Sequence, residues 1–215
     1  MTFATDIDLL HWEPSLFSEA SSVAQTLLAG TGTLAETSFT ISSGSLTDAH
    51  IEPGEVIALG ASINGSFPIV SIDSATSLTL SVLFDQLFPD SGDAETEPPT
   101  PASGSDIAFS IRTFWPQRRI VSELLIQAAG LQPSDAGKIL NPAALTRPCV
   151  LGTLQMIYTA LAAAADSPAN LLARADLYQG LYRNALRSAA VEIDFNGDGR
   201  VDALRQLNIL HLHRA

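Results

Sequence analysis

Apolar positions change their spacing along the chain. Leu16, Phe17, Ala20, Val23, Ala24, Leu27 and Leu28 recur at intervals of three and four, the period of a helix face. Residues 6–29 are therefore predicted helical, with Pro14 restarting the helix at a first-turn position and Gly30 ending it. Over residues 31–111 the pattern changes to short strand-like pieces. Ser38–Ile41, Glu55–Leu59, Phe67–Ile72, Ser77–Ser81 and Ile107–Ile111 are predicted strands, separated by clusters of Gly, Asn, Ser and Asp. Short strands at this spacing predict a small antiparallel β-barrel or sandwich. Residues 89–105, PDSGDAETEPPTPASGS, are Pro-rich and acidic with little apolar content, and are predicted to form a mobile loop.

Helical spacing returns at Arg112. Pro116 opens a helix that runs to about Ala129, where Gly130 stops it. A second runs from Pro148 to about Ala165, and a third starts with Ser167 as N-cap and Pro168 at the first helical position. In the third, Leu171, Ala175, Tyr178, Tyr182, Ala185 and Leu186 share a face, which makes the tyrosines core or helix-interface positions. Arg174, Arg183 and Arg187 lie off that face. Strand-like segments return in Val191–Phe195 and Leu207–Leu212. The chain is thus expected to be α+β. Residues 1–30 and 112–190 would form one helical bundle, residues 31–111 an inserted antiparallel barrel or sandwich, and residues 191–215 an acidic-tipped hairpin and C-terminal strand arm.

Composition narrows the function classes. At 215 residues and 46% hydrophobic the chain can bury a core, yet it has no apolar run of membrane-spanning length. The opening MTFATDIDLL has no basic region ahead of an apolar stretch, so no secretory signal is expected. Cys149 is the sole cysteine, which excludes an internal disulfide. Its neighbours Pro148, Val150 and Leu151 predict a buried thiol, in keeping with a reducing cytoplasm. The net charge of −12 is unevenly spread: residues 1–111 hold 15 of the 23 acidic residues and no Lys or Arg. Such a half cannot grip nucleic acid by neutralising phosphates. It suits a surface that DNA passes without sticking.

The one motif with metal-ligand spacing is DFNGDGRVD. Asp194, Asn196 and Asp198 fall at positions 1, 3 and 5 of a calcium loop, Gly199 at 6 and Asp202 at 9. Position 12 should carry a bidentate carboxylate, and Arg205 stands there instead. Asn-Gly and Asp-Gly also favour hairpin turns, so the loop is read as a polar hairpin tip, with an incidental cation as the alternative. His211 and His213 share a strand face and could pair at a metal, but nothing at ligand spacing completes that site. The chain has no nucleophile elbow, phosphate loop or Cys/His cluster, so neither catalysis nor a cofactor is expected.

Several stretches carry a resemblance. They are Ala144-Leu145-Thr146-Arg147-Pro148-Cys149-Val150-Leu151-Gly152-Thr153-Leu154, then Leu172-Ala173-Arg174-Ala175-Asp176-Leu177-Tyr178 with Leu181-Tyr182-Arg183, then the Val191-to-Asp202 loop. The ending Arg205-Gln206-Leu207-Asn208-Ile209-Leu210 completes the pattern. Together they resemble the head–tail connector (adaptor) proteins of tailed bacteriophages over about half the chain. Gly54-Glu55-Val56-Ile57 and Phe67-to-Asp73 resemble small barrels inserted in phage virion proteins.

The resemblance implies a structural virion protein of the neck, assembled in the host cytoplasm. It would form a ring, twelve-fold by the resemblance, beneath the portal protein. The ring would extend the channel for double-stranded DNA and receive the next neck or tail protein. Leu207, Ile209, Leu210, Leu212 and Arg214 are the candidate portal- or neighbour-binding residues, docking by strand addition. The alternative from the residues themselves is a calcium-stabilised or glycan-binding β module on a helical anchor.

Overall fold

The computed structural model describes residues 2–60, 63–82 and 96–207. The chain is α+β and divides into two compact units, Thr5–Phe114 and Met1–Ala4 with Trp115–Ala215.

The first unit is built on a closed six-stranded barrel. Its strands are β1 (Gln25–Ala35), β2 (Ser38–Ile41), β3 (Val56–Leu59), β4 (Gly65–Ile72), β5 (Ser77–Leu80) and β6 (Ser103–Thr113). They follow one another round the barrel as β1-β2-β5-β4-β3-β6, and every pairing is antiparallel. Closure removes the exposed edges that an open sheet would carry. Leu34, Phe39, Ile57, Ile69, Leu78, Leu80, Ile107 and Ile111 fill the interior, each at most 1% exposed. Phe39 and Phe109 meet edge to face there, with ring centroids 5.4 Å apart.

Two short helices complete this unit, α1 (Asp6–Trp12) and α2 (Leu16–Glu19). A capping box starts α1: Asp8 N–H donates to Thr5 Oγ1, and the Asp8 carboxylate accepts from Thr5 N–H at 2.7 Å. The buried Asp6 carboxylate accepts from the Thr113 hydroxyl at 2.6 Å and from Phe114 N–H at 3.1 Å. Phe17 packs on Phe114 with ring centroids 5.1 Å apart. These contacts tie the N-terminal helices to the end of β6.

The expectation of one helix over residues 6–29 is therefore corrected. The helical spacing is real only as far as Glu19; Gln25–Ala29 begin the strand that closes the barrel. Long-range pairing with β6, from Gln25 opposite Thr113 to Ala35 opposite Ser103, overrides the local pattern. Residues 5–30 accordingly group with the barrel rather than with the later helices. The other five strands lie at the strand-like pieces of the sequence, within a few residues. The loop expected over 89–105 is shorter than that. Ser103–Ser105 belong to β6, Glu97 N–H donates to Ser81 Oγ, and Ala102 C=O accepts from Glu36 N–H. Residues 83–95 lie outside the described residues.

The second unit holds α3 (Trp115–Ala128), α4 (Thr146–Ala164), α5 (Ala169–Ser188) and the hairpin strands β7 (Ala190–Ile193) and β8 (Ala203–Gln206). The central helix, α4, packs against both α3 and α5. Eleven of its residues are buried, among them Cys149, Leu151, Leu154, Ile157 and Tyr158. Gly152 makes close approach possible: a Cβ there would lie 2.8 Å from Val121 and 3.1 Å from Tyr182. Tyr158 stacks on Tyr178 at 5.6 Å with the rings nearly parallel, so this part of the expected tyrosine face is core. Pro168, not Ser167, occupies the cap of α5, and no side chain caps it. Phe3 and Ala4 join this unit, for Phe3 N–H donates to Ser122 Oγ and Arg118 Nη1 donates to Ala4 C=O. No helix among the described residues is long and apolar enough to cross a membrane.

Candidate functional site

The candidate loop is the connection between β7 and β8. Both ends are anchored: Asp194 N–H donates to Lys138 C=O, and Asp202 N–H donates to Ile193 C=O, each at 2.9 Å. Between them the chain needs two left-handed turns, supplied by Gly197 at φ 79° and Gly199 at φ 77°. The hairpin reading of the motif is thus the one the fold carries. The strands themselves are shifted: the second is Ala203–Gln206, whereas Leu207 lies in a turn with its N–H on Ala189 C=O.

The acidic side chains organise the loop's own backbone. Asp194 Oδ1 accepts from Asn196 and Gly197 N–H, and its Oδ2 accepts from Gly199 N–H. Asp202 Oδ2 accepts from Phe195 N–H at 2.7 Å and from Asn196 N–H at 3.3 Å. Asn196 Oδ1 and Asp198 Oδ1 each accept from the amide two residues on. Hydrogen bonds to the charged form hold the Asp194 carboxyl below its ordinary range, led by the Gly199 amide and opposed by partial burial. Among the described residues no three His, Cys, Asp or Glu side chains group as a metal site.

Arg205, at the position where a calcium loop carries its bidentate acid, reaches across to the end of α3. Its Nη1 donates to Ala129 C=O at 2.8 Å, and its guanidinium lies 5.8 Å from the Phe195 ring centroid. This role had no signal in the sequence, because it depends on where α3 ends. Of the proposed partner-binding residues only Leu207 is described, and it is 8% exposed. Ile209, Leu210, Leu212 and Arg214 lie outside the described residues, as do His211 and His213.

Cys149 is buried as expected. Burial pushes its thiol up, against the lowering effect of hydrogen bonds from its neighbours. It contacts Ser122 Oγ at 3.3 Å, and Ser122 in turn receives Phe3 N–H. That arrangement ties the N-terminus to α3 and offers no activated nucleophile. In the barrel unit a cleft of about 400 Å³ is lined by Ala58, Ala108, Ser110 and Arg112 among others. Arg112 donates to Phe17 C=O, and burial lowers its pKa. Neither place sets a general base beside a nucleophile.

What the sequence reading missed is the amount of large apolar surface left in solvent. Trp115, Ile120 and Leu124 on α3, Leu172 and Leu177 on α5, and Leu204 on β8 are each between 46% and 65% exposed. The helical period located the buried faces, but it does not tell a covered apolar position from an uncovered one. Comparison of the chain with protein-family models, curated proteins and solved structures finds no match.

Proposed function

We propose that this protein is a structural subunit of a bacteriophage neck. It would form a ring between the portal and the next tail component, around the channel through which DNA passes. The observation that carries this reading is the exposed apolar surface on α3, α5 and β8. Large apolar side chains left in solvent in such number offer places for other chains to bind. The residues that resemble connector proteins lie in the same unit, Ala144–Leu154 in α4 and the residues leading into it, Leu172–Tyr178 in α5 and the hairpin. On this reading α3, α4 and α5 act as the bundle that builds the ring wall. The acidic barrel unit faces or flanks the channel, where carboxylates repel DNA and keep it sliding.

The test is negative-stain imaging of the purified protein, alone and with the portal encoded beside it. A ring stacked on the portal is the expected outcome. Failure of the two to associate under any condition removes the reading.

A second reading follows from Asp194. Its carboxylate is held ionised on a loop that also carries the oxygen side chains of Asn196, Asp198 and Asp202. Asp194 Oδ2 and Asp198 Oδ1 each accept one amide and so keep a lone pair, whereas Asp194 Oδ1 and Asp202 Oδ2 already accept two each. Calcium would then stabilise the hairpin by linkage. Titration with calcium should raise the melting temperature of the wild type and not of Asp198→Ala; equal curves dispose of it.

A further inference from the structure

We infer that the outer face of α5 is one half of a head-to-tail contact between copies of this chain, and that the acidic end of a neighbour's barrel is the other half. The inference rests on the assembly reading above and names the surfaces it would use.

The α5 face is defined by the helix itself. At about 100° per residue, Leu172, Arg183, Asp176, Arg187, Gly180, Ala173, Asn184 and Leu177 fall within an arc of about 140°. All eight are exposed, whereas Ala175, Tyr178 and Ala185 on the opposite side are buried against the unit. Leu172 and Leu177 border the arc at 47% and 58% exposure. Gly180 leaves open space at its centre, where a Cβ would meet nothing within 4 Å. Arg183 and Arg187 outweigh Asp176 and leave the arc net positive, and among the described residues neither arginine forms an ion pair. The face is therefore apolar at one end, basic at the other and covered by nothing in its own unit.

Charge selects the occupant. The helical unit carries ten basic and eight acidic residues, whereas the barrel unit carries fifteen acidic residues and one basic, Arg112. Three of these acids stand at the barrel end formed by the β1–β2 turn and the start of β6. Glu36 and Asp106 are exposed there in left-handed backbone, at φ 56° and 53°. Glu97 joins them, because its amide and carbonyl engage Ser81 and Val82 just beyond β5. A copy of the chain therefore carries both a basic helix face and an acidic barrel end. Two different patches pairing between copies make a heterologous contact, the kind that generates rings.

Sedimentation velocity on the full chain tests this. The wild type should self-associate, with at least tenfold weaker affinity at high salt than at low salt, because the contact is charge-selected. Arg183→Glu with Arg187→Glu should be monomeric. A chain carrying Glu36→Arg, Glu97→Arg and Asp106→Arg should also be monomeric. Mixed, the two variants should pair one to one, since each retains the half that the other lacks. Circular dichroism of each variant should match the wild type, these positions being exposed. Variants that associate as the wild type does, or that fail to pair when mixed, overturn the inference while leaving the ring reading to the portal experiment. A wild type monomeric at its highest soluble concentration also overturns it.

Discussion

Two residues illustrate how single positions hold the second unit. Gly130 ends α3 in left-handed backbone at φ 74°, and a Cβ there would lie 1.9 Å from Arg205 Nη1. Gly130→Ala should therefore cost about 1–3 kcal/mol for the backbone alone, with the displaced Arg205 bond added to it. Urea denaturation measures the sum. In an Arg205→Ala background the cost should shrink to the backbone part; an undiminished cost would mean that the contact does not matter. Asp194 makes a prediction about pH. Folding lowers its pKa, so the unfolded chain takes up a proton first as pH falls. The stability it contributes is complete above the ordinary carboxylate range and disappears as pH drops through the lowered folded value. Asp194→Asn should be less stable than the wild type at neutral pH, and the gap should close in acid. A gap independent of pH would show that charge is not the cause. The loop's amide bonds were legible in part: Asn-Gly and Asp-Gly announce the turn. The diversion of Arg205 to Ala129 was not, since the two lie 76 residues apart.

At the scale of elements, close packing decides outcomes that propensity would reverse. Replacing Gly152 by Ala inside α4 gains about 1 kcal/mol of helix propensity. Against this stands overpacking at Val121 and Tyr182, which costs about 1–3 kcal/mol in a filled interior. The expected result is a net loss by thermal denaturation in the wild-type background and recovery when Val121 is also cut to Ala. In the barrel, Phe39 is fully buried and its ring covers Gly32, where a Cβ would lie 2.5 Å away. Phe39→Ala should cost about 3–5 kcal/mol, measurable by urea denaturation. Of the five strands after β1, β2, β5 and the second half of β6 were legible because they alternate buried and more exposed positions, and β3 because it is a short apolar run buried throughout. β1 was not. Leu27 and Leu28 are only partly buried and sit together at a register shift opposite β6, so the alternation breaks where it would have been read.

For the whole molecule, charge is the dominant global property. With fifteen acidic residues against one basic, the barrel unit repels itself, and salt screens that repulsion. Calorimetry at rising sodium chloride should show its melting temperature increase; a constant or falling value would show that the acids are too dispersed to interact. Salt thus acts in opposite senses on the folding of the barrel unit and on the association proposed for α5. Composition and period alone determined an α+β chain with a small β module, a buried lone thiol, helices after residue 112 and a polar hairpin tip. Each follows from local spacing or from counting, and those need no knowledge of what lies across the fold. Tertiary structure alone decided that residues 25–35 close a six-stranded barrel, that α1 and α2 belong to it, that Arg205 reaches across to the end of α3, and that α5 keeps an uncovered face. Those outcomes depend on partners far apart in the chain, and a local pattern carries no record of which partner a surface meets.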